Sequence, residues 1–459
     1  MSQAVQGNRQ PELFPRSKRP IIVIEENHRL VRIADTVDWT ELEARAEVIR
    51  ASKLKNAAGR PPHLRATLGA MLLMATRRMT YREAEDQIRH YAPARYLCGL
   101  TETDWTPDFT TIQDFTELMG EEGLRLINQY VVEVAVEEKL ADPRVMVADT
   151  TAQEAAIPWP NEMGLMASFL TSIGAASQKA GSALQEFVKK AAKKFKAGKE
   201  RIRKYRLFAK TKEAKNKAVA QMACLIESIQ GQLGQALEAQ KTRLANYAKV
   251  AQAKVIRIHE TMKRLMPQIR YWLKTGHVAV GKIISLHIPQ LYSIVRGKVG
   301  KTVEFGLTWG ISRLRGGFLR ATLAQNRKEL VDSKFAVQAV DEHIAMFGKA
   351  PRAYAYDRAG YSAENVAALK AKGIHQVGLA PRGKTRWEPS DAVKEKLMRE
   401  RGLIEGGIGA IKSQRYGFNR PAARSFQMMG ACGQRAVLGF NLNKLIRELA
   451  KRNGMEVVG

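Results

Sequence analysis

The sequence predicts an α/β protein whose core is interrupted by a long helical insertion and preceded by an all-α N-terminal domain. Three observations predict it. Short apolar runs, Pro143–Asp149 and Arg352–Asp357, each end in an aspartate, and from Phe335 onward such runs alternate with helical patterns. Residues 164–275 are dominated by helix formers, with almost no turn signals after Gly198. Residues 63–140 read as helix throughout.

Taken in order, residues 1–60 form an N-terminal arm: a polar, Pro-containing start, the apolar run Ile21–Ile24, and a helical pattern from Val37 to Lys55. Gly59-Arg-Pro-Pro62 breaks the chain before a helical domain at 61–141. Within it, Leu68–Met74 is apolar enough for a core helix. Thr80-Tyr-Arg-Glu83 has the form of a capping box, and Pro107–Gln113 supplies a second at Thr110–Gln113. Two capped helices joined by a Pro/Asp-rich turn fit a helix-turn-helix DNA reader as well as a plain helical domain. Arg77, Arg78, Arg82 and Arg89 favour DNA.

The core is expected at 142–163 and 276–420. Between its parts lies the basic helical insertion, 164–275. From Lys189 to Lys217 there are fourteen Lys/Arg against two Glu. So dense a one-sign run is unfavourable on a helix unless a polyanion screens it, and it marks Lys189, Lys190, Lys193, Lys194, Arg201 and Arg203 as candidate phosphate contacts. Beyond it, Lys282–Ile288, Thr302–Trp309 and Phe318–Thr322 are β-like, with glycines as turns. Lys298 and Lys301 sit in one of those turns, where a sheet edge could meet DNA. Helix, strand, helix and strand follow at Phe335–Phe347, Arg352–Asp357, Ala363–Lys372 and His375–Ala380. A helix over 391–415 and a C-terminal helix within 421–459 complete the chain.

Composition bounds the function. The chain has 459 residues, 45% of them hydrophobic, a formal charge of +30, a pI near 10.1 and a mean hydropathy of −0.30. That excess requires a polyanion, and nucleic acid is the first candidate. No apolar run reaches the roughly 18 residues a membrane span needs, and no signal segment is evident. Cys98, Cys224 and Cys432 are too scattered for a disulfide framework or zinc site. A cytoplasmic, nucleoid-associated protein fits best.

The 391–415 helix carries Arg401, Glu405 and Lys412. At about 100° per residue these fall within about 40° of one another, beside an apolar stripe of Ile404, Ile408 and Ile411. Gly402, Gly406, Gly407 and Gly409 share the segment, although each interior glycine costs a helix roughly 1 kcal/mol. That cost is tolerated where something must approach the backbone closely.

The spacing Arg401-x3-Glu405-x6-Lys412 resembles the Tyr-x2-Arg-x3-Glu-x6-Lys box of bacterial insertion-sequence transposases of the DDE type. Met398 stands where that family has tyrosine. The stretches Asp149–Glu162, Tyr356–Gly360 and Gly297–Gly306 are similar to the family's as well, and the likeness covers about residues 60–450. The element order is that of a ribonuclease H-like core with a helical insertion, in which the two aspartate-bearing strands are neighbours and the late helix packs beside them. The resemblance implies that Asp149, Asp357 and Glu405 converge as catalytic, metal-holding carboxylates. Asp142, Asp341 and Glu400 are available substitutes. Carboxylates so placed repel one another unless cations intervene, and Mg²⁺ or Mn²⁺, as two ions, is the natural fit. Arg401 and Lys412 would contact phosphates near the scissile bond.

The implied function is a transposase that binds an element's terminal inverted repeats, cleaves DNA and joins the freed 3′-hydroxyl to target DNA, as a homodimer on DNA. An inactive or domesticated DNA-binding relative and a ribonuclease H-like nuclease are the alternatives.

Overall fold

The computed structural model describes residues 24–53, 63–103, 105–240, 245–298, 301–326, 329–381, 387 and 389–456, with the backbone alone at 296–298 and 301–302. The Ile21–Val23 part of the apolar run and the Gly59–Pro62 break lie outside these. The chain forms two compact units, one of the described residues up to Phe115 plus those from Leu442 onward, the other Thr116–Asn441.

The first unit is helical: α1 (Arg29–Thr36), α2 (Trp39–Lys53), α3 (Leu64–Thr76), α4 (Tyr81–His90), α5 (Ala92–Leu97) and the start of α6 (Phe109–Glu137). Every residue of α3 from Ala66 to Thr76 is buried, as its unbroken apolar run requires. Thr80 and Glu83 form the expected capping box at α4, with Thr80 Oγ1 accepting from the Glu83 amide at 3.2 Å and a Glu83 carboxylate oxygen accepting from the Thr80 amide at 2.6 Å. The second expected box differs. Asp108, not Thr110, caps α6: its Oδ1 accepts from the Thr111 amide at 2.7 Å and from the Thr110 hydroxyl at 2.6 Å. A carboxylate at a helix N-terminus outcompetes a hydroxyl because it also neutralises the helix dipole.

The second unit is mixed α/β. Its strands are β1 (Asp142–Glu154), β2 (Tyr292–Lys298), β3 (Lys301–Arg315), β4 (Leu319–Leu323), β5 (Ala353–Tyr356) and β6 (Gln376–Leu379). They form one mixed sheet in the order β2-β3-β1-β5-β6, with β4 also on β3. The β1–β3, β2–β3 and β3–β4 pairs are antiparallel, whereas β1–β5 and β5–β6 are parallel. Parallel neighbours need crossovers. These are α12 (Asp332–Phe347), which leads into β5, and α13 (Ala363–Ala371), between β5 and β6. They are followed by α14 (Asp391–Lys412) and α15 (Phe426–Arg452).

Between β1 and β2 the chain makes α7 (Glu162–Ser177), α8 (Ser182–Lys190), α9 (Ala192–Phe208), α10 (Lys212–Ala239) and α11 (Asn246–Thr275). These helices bury their own core, including Phe169, Ile226 and Met262, distinct from the sheet's core around Trp309, Ile404 and Phe418. A partly buried ion pair between Glu162 and Lys282, 2.5 Å, clasps the two ends of this excursion.

Lys282–Ile288 is expected as a strand and is not one. It is an extended segment with one foot in each core. Ile283 and Leu286 join the helical core, while Ile284 and Ile288 join the sheet's. Its apolar pattern therefore reports burial between two layers rather than a sheet. Side chains replace the missing ladder: Gln268 accepts from the Ile283 amide at 2.9 Å and Ser285 from the Ile288 amide at 3.2 Å.

Candidate active site

Asp149 is expected at a strand end, but β1 continues to Glu154, because residues 149–154 pair with Gly306–Ile311 of β3. Against its other neighbour the strand does end early. The parallel β1–β5 ladder runs from Val145↔Ala353 to Val147↔Ala355, so Asp149 and Asp357 both lie just past its last pair. The sheet thus brings the two aspartates to one edge of a parting pair of strands.

Asp149 accepts a hydrogen bond from the Thr150 amide at 2.8 Å. Burial, helped by the neighbouring carboxylates of Asp357 and Asp332 and opposed by that amide and by Arg401, pushes its acid up to about 6. Asp357 caps the single turn of 3₁₀ helix at Arg358–Gly360, accepting from the Arg358 amide at 2.5 Å. It also forms an ion pair with Arg401 of α14 at 3.2 Å.

Helix α14 docks through Leu397, Ile404 and Ile411, all buried in the sheet's core, with Ile408 packed against it. Arg401 faces the aspartates. Glu405, four residues on, is exposed. A Cβ at Gly402, Gly406 or Gly409 would meet nothing within 4 Å, so these glycines leave open space along the helix, while Gly407 sits against Leu319. Lys412 ends α14, half-buried.

The structure therefore pairs Asp357 with Arg401 beside Asp149, and Glu405 forms no metal-sized cluster with the two aspartates. Among the described residues, no three His, Cys, Asp or Glu side chains lie close enough to share a metal ion. The two aspartates nonetheless have the donor chemistry for one: hard oxygens, mutually repelling, both half-buried. The substitutes are committed elsewhere. Glu400 is clamped by Arg313 at 3.2 Å and Arg315 at 3.1 Å, Asp142 pairs with Arg144 at 3.0 Å, and Asp341 pairs with Lys372 at 2.5 Å.

Sequence reasoning missed Asp332, at the start of α12. Its Oδ1 accepts from the Thr150 hydroxyl at 2.6 Å and from the Tyr356 hydroxyl at 3.3 Å, and these are the residues next to Asp149 and Asp357. An acid in the first turn of a helix is too common to have been noticed. The signal lay in the hydroxyls adjacent to each aspartate.

On the helical insertion, Lys189, Lys190, Lys193 and Arg203 are exposed. Lys190 approaches Glu186 at 3.8 Å. Lys194 and Arg201 are half-buried and hold α9 to α10, Lys194 by donating to the Ser228 hydroxyl at 2.6 Å and Arg201 to the Gln221 carbonyl at 2.5 Å. The side chains of Lys298 and Lys301 lie outside what the structure describes. In the first unit Arg77 and Arg78 are exposed, Arg82 lies over the Phe109 ring at 3.7 Å, and Arg89 pairs with Glu85 at 2.7 Å.

Residues 21–118 match a family described as Transposase domain (DUF772). The match supports a transposase and, with it, DNA as the partner. No curated protein and no solved structure matches the chain. No helix among the described residues is long and apolar enough to cross a membrane.

Proposed function

We propose that this chain is a DDE-type DNA transposase. Its ribonuclease H-like core cleaves DNA at an element's terminal inverted repeats and transfers the freed end, with Asp149, Asp357 and Glu405 as the catalytic carboxylates. The observation that carries this reading is the Arg401–Asp357 ion pair beside half-buried Asp149. It ties the face of α14 that bears Arg401, Glu405 and Lys412 to Asp357, which directly follows β5 and so stands beside Asp149 on the neighbouring strand β1, as such a core requires. The transposase-domain match at 21–118 supports the class from a separate part of the chain.

Asp149 and Asp357 would hold Mg²⁺ or Mn²⁺, with Glu405 reaching in from α14. Two such ions held there would supply the positive charge that ionises an attacking oxygen and stabilises a leaving one. The protein's own contribution is placement. The Thr150 and Arg358 amides fix one oxygen of each aspartate. Arg401, now paired to a carboxylate, can exchange it for a DNA phosphate, since both are oxyanions that accept a guanidinium fork. The open glycines of α14 let a DNA backbone come close to Glu405. The exposed Lys189, Lys190, Lys193 and Arg203 bind flanking duplex through its phosphates, with Lys412 nearer the scissile bond. The complex on DNA is a homodimer.

The test is strand cleavage of labelled DNA carrying the gene's own flanking ends, with Mg²⁺, Mn²⁺ or EDTA, in wild type and Asp149→Asn. Metal-dependent nicks at the end boundary, lost in the variant, are expected. Tight binding without any cut would favour the inactive, binding-only alternative.

A further inference from the structure

We propose that Asp332 is a positioning residue: its carboxylate ties Thr150 to Tyr356 and so holds Asp149 and Asp357 in register where the backbone ladder no longer does. The inference rests on the assignment of those two aspartates as catalytic.

Three features carry it. The β1–β5 ladder stops at Val147↔Ala355, so no backbone pair fixes the spacing of the two strands at Asp149 and Asp357. Beyond that point one oxygen, Asp332 Oδ1, receives the hydroxyl of the residue after Asp149 and the hydroxyl of the residue before Asp357. Side chains alternate across an extended strand, so Thr150 and Tyr356 face away from their neighbouring aspartates, and the tie is made from the opposite side of the sheet. Asp332 therefore bridges the strands without occupying the space between the aspartates.

The first turn of α12 is seated firmly enough to serve. Phe335, fully buried, packs edge-on against Tyr356 with ring centroids 6.3 Å apart. It fits only because Gly310, the β3 residue opposite Thr150, has no side chain: a Cβ there would overlap the Phe335 ring. The helix, both strand ends and the carboxylate thus form one packed unit. Its task is spacing, which metal-assisted phosphoryl transfer requires to a fraction of an ångström.

Two variants separate this role from a direct one. Asp332→Asn keeps a carbonyl oxygen for both hydroxyls but removes the charge, whereas Asp332→Ala removes both. In the cleavage assay Asp332→Ala should lose about 100-fold in rate and need more Mg²⁺ for half-maximal activity, as a displaced catalytic group does. Asp332→Asn should stay within about threefold of wild type, since a neutral acceptor retains the tie. DNA affinity should be unchanged in both. An Asn variant as inactive as the Ala one would overturn the proposal, because the charge itself would then be needed. So would an Ala variant that cuts like wild type.

Amide hydrogen exchange of the free protein reads the tie without any cutting. Residues 148–151 and 356–358 should exchange faster in Asp332→Ala and in the Thr150→Val/Tyr356→Phe double variant, and combining the two should add little. Unchanged exchange would overturn the tie even if the wild type cuts. Responsive exchange in a wild-type protein that does not cut would overturn only the transposase assignment.

Discussion

The helical insertion and the sheet edge handle charge in opposite ways. The insertion spreads one sign over an exposed surface, Lys189, Lys190, Lys193 and Arg203, above a separate apolar core that it does not disturb. The sheet edge gathers the other sign into a small, half-buried volume, where Asp149 is pushed up to about 6 and Asp357 leans on Arg401. Exposed like charges are partly screened by water and salt, and a polyanion can complete the screening. Buried like charges cost it directly, and are retained only where something else requires them. On the proposed reading, the half-buried like charges mark the place for chemistry, and the exposed ones the place for attachment.

The most decisive tests lie at the sheet edge. Asp357→Asn and Glu405→Gln should each lower cleavage by at least about a thousandfold while leaving DNA binding largely intact, because they remove transition-state stabilisation rather than binding surface. Full activity in either would remove that residue from the catalytic set. For Glu405, which forms no metal-sized cluster with the aspartates in the free protein, loss of cleavage would show that it takes part once DNA is bound.

The insertion predicts the converse. Replacing Lys189, Lys193 and Arg203 with alanine should weaken binding and flatten the salt dependence by about 0.9 in log–log slope for each phosphate no longer neutralised. Metal-dependent cutting of saturated DNA should be preserved, and the thermal midpoint should barely move. A slope unchanged by the triple substitution would show that these residues do not follow the DNA backbone.

Stability probes the same difference without DNA. Asp149 has a folded acid near 6 against an ordinary value of 3.8, so the fold favours its neutral form. Stability from this group is greatest at or below about pH 4 and is lost as pH rises towards about 6, by up to roughly 3 kcal/mol at 1.36 kcal/mol per unit. Asp149→Asn should therefore unfold at a higher temperature than wild type at pH 7, with the gap closing by pH 4. An Asn variant no more stable at pH 7 would mean that the buried charge is compensated. Lys412→Ala, at the end of α14, should have the smallest effect, a slower cleavage of bound ends with little change in affinity. Unchanged single-turnover kinetics would deny it a role at the scissile bond.

Much of this was legible in the sequence, and the failures are instructive. The strands around Asp149 and Asp357 and the helix bearing Glu405 declared themselves through local pattern, because short apolar runs and 3.6-residue periodicity are short-range signals. Segment 282–288 misled for the same reason: alternating burial between two cores has the same signature as alternating burial in a sheet. The cap at Asp108 was misplaced by one turn chemistry competing with another. The Arg401–Asp357 pair and the bridge at Asp332 join residues far apart in the chain, and nothing local to either end announces such a meeting. The open glycines were visible, yet only the structure separates Gly407, which packs on Leu319, from Gly402, Gly406 and Gly409, which do not.

The segment threaded between the two cores has a consequence for how such a chain can change over time. With Glu162 and Lys282 clasped at the base and Ile283 and Leu286 plugged into the helical side, the excursion leaves and rejoins the sheet at one socket. A different helical module could be exchanged there without altering the register of β1 and β3, provided it offers a slot for those two side chains and an acceptor in place of Gln268. On the proposed function, DNA attachment could then diversify while the cutting end stays fixed.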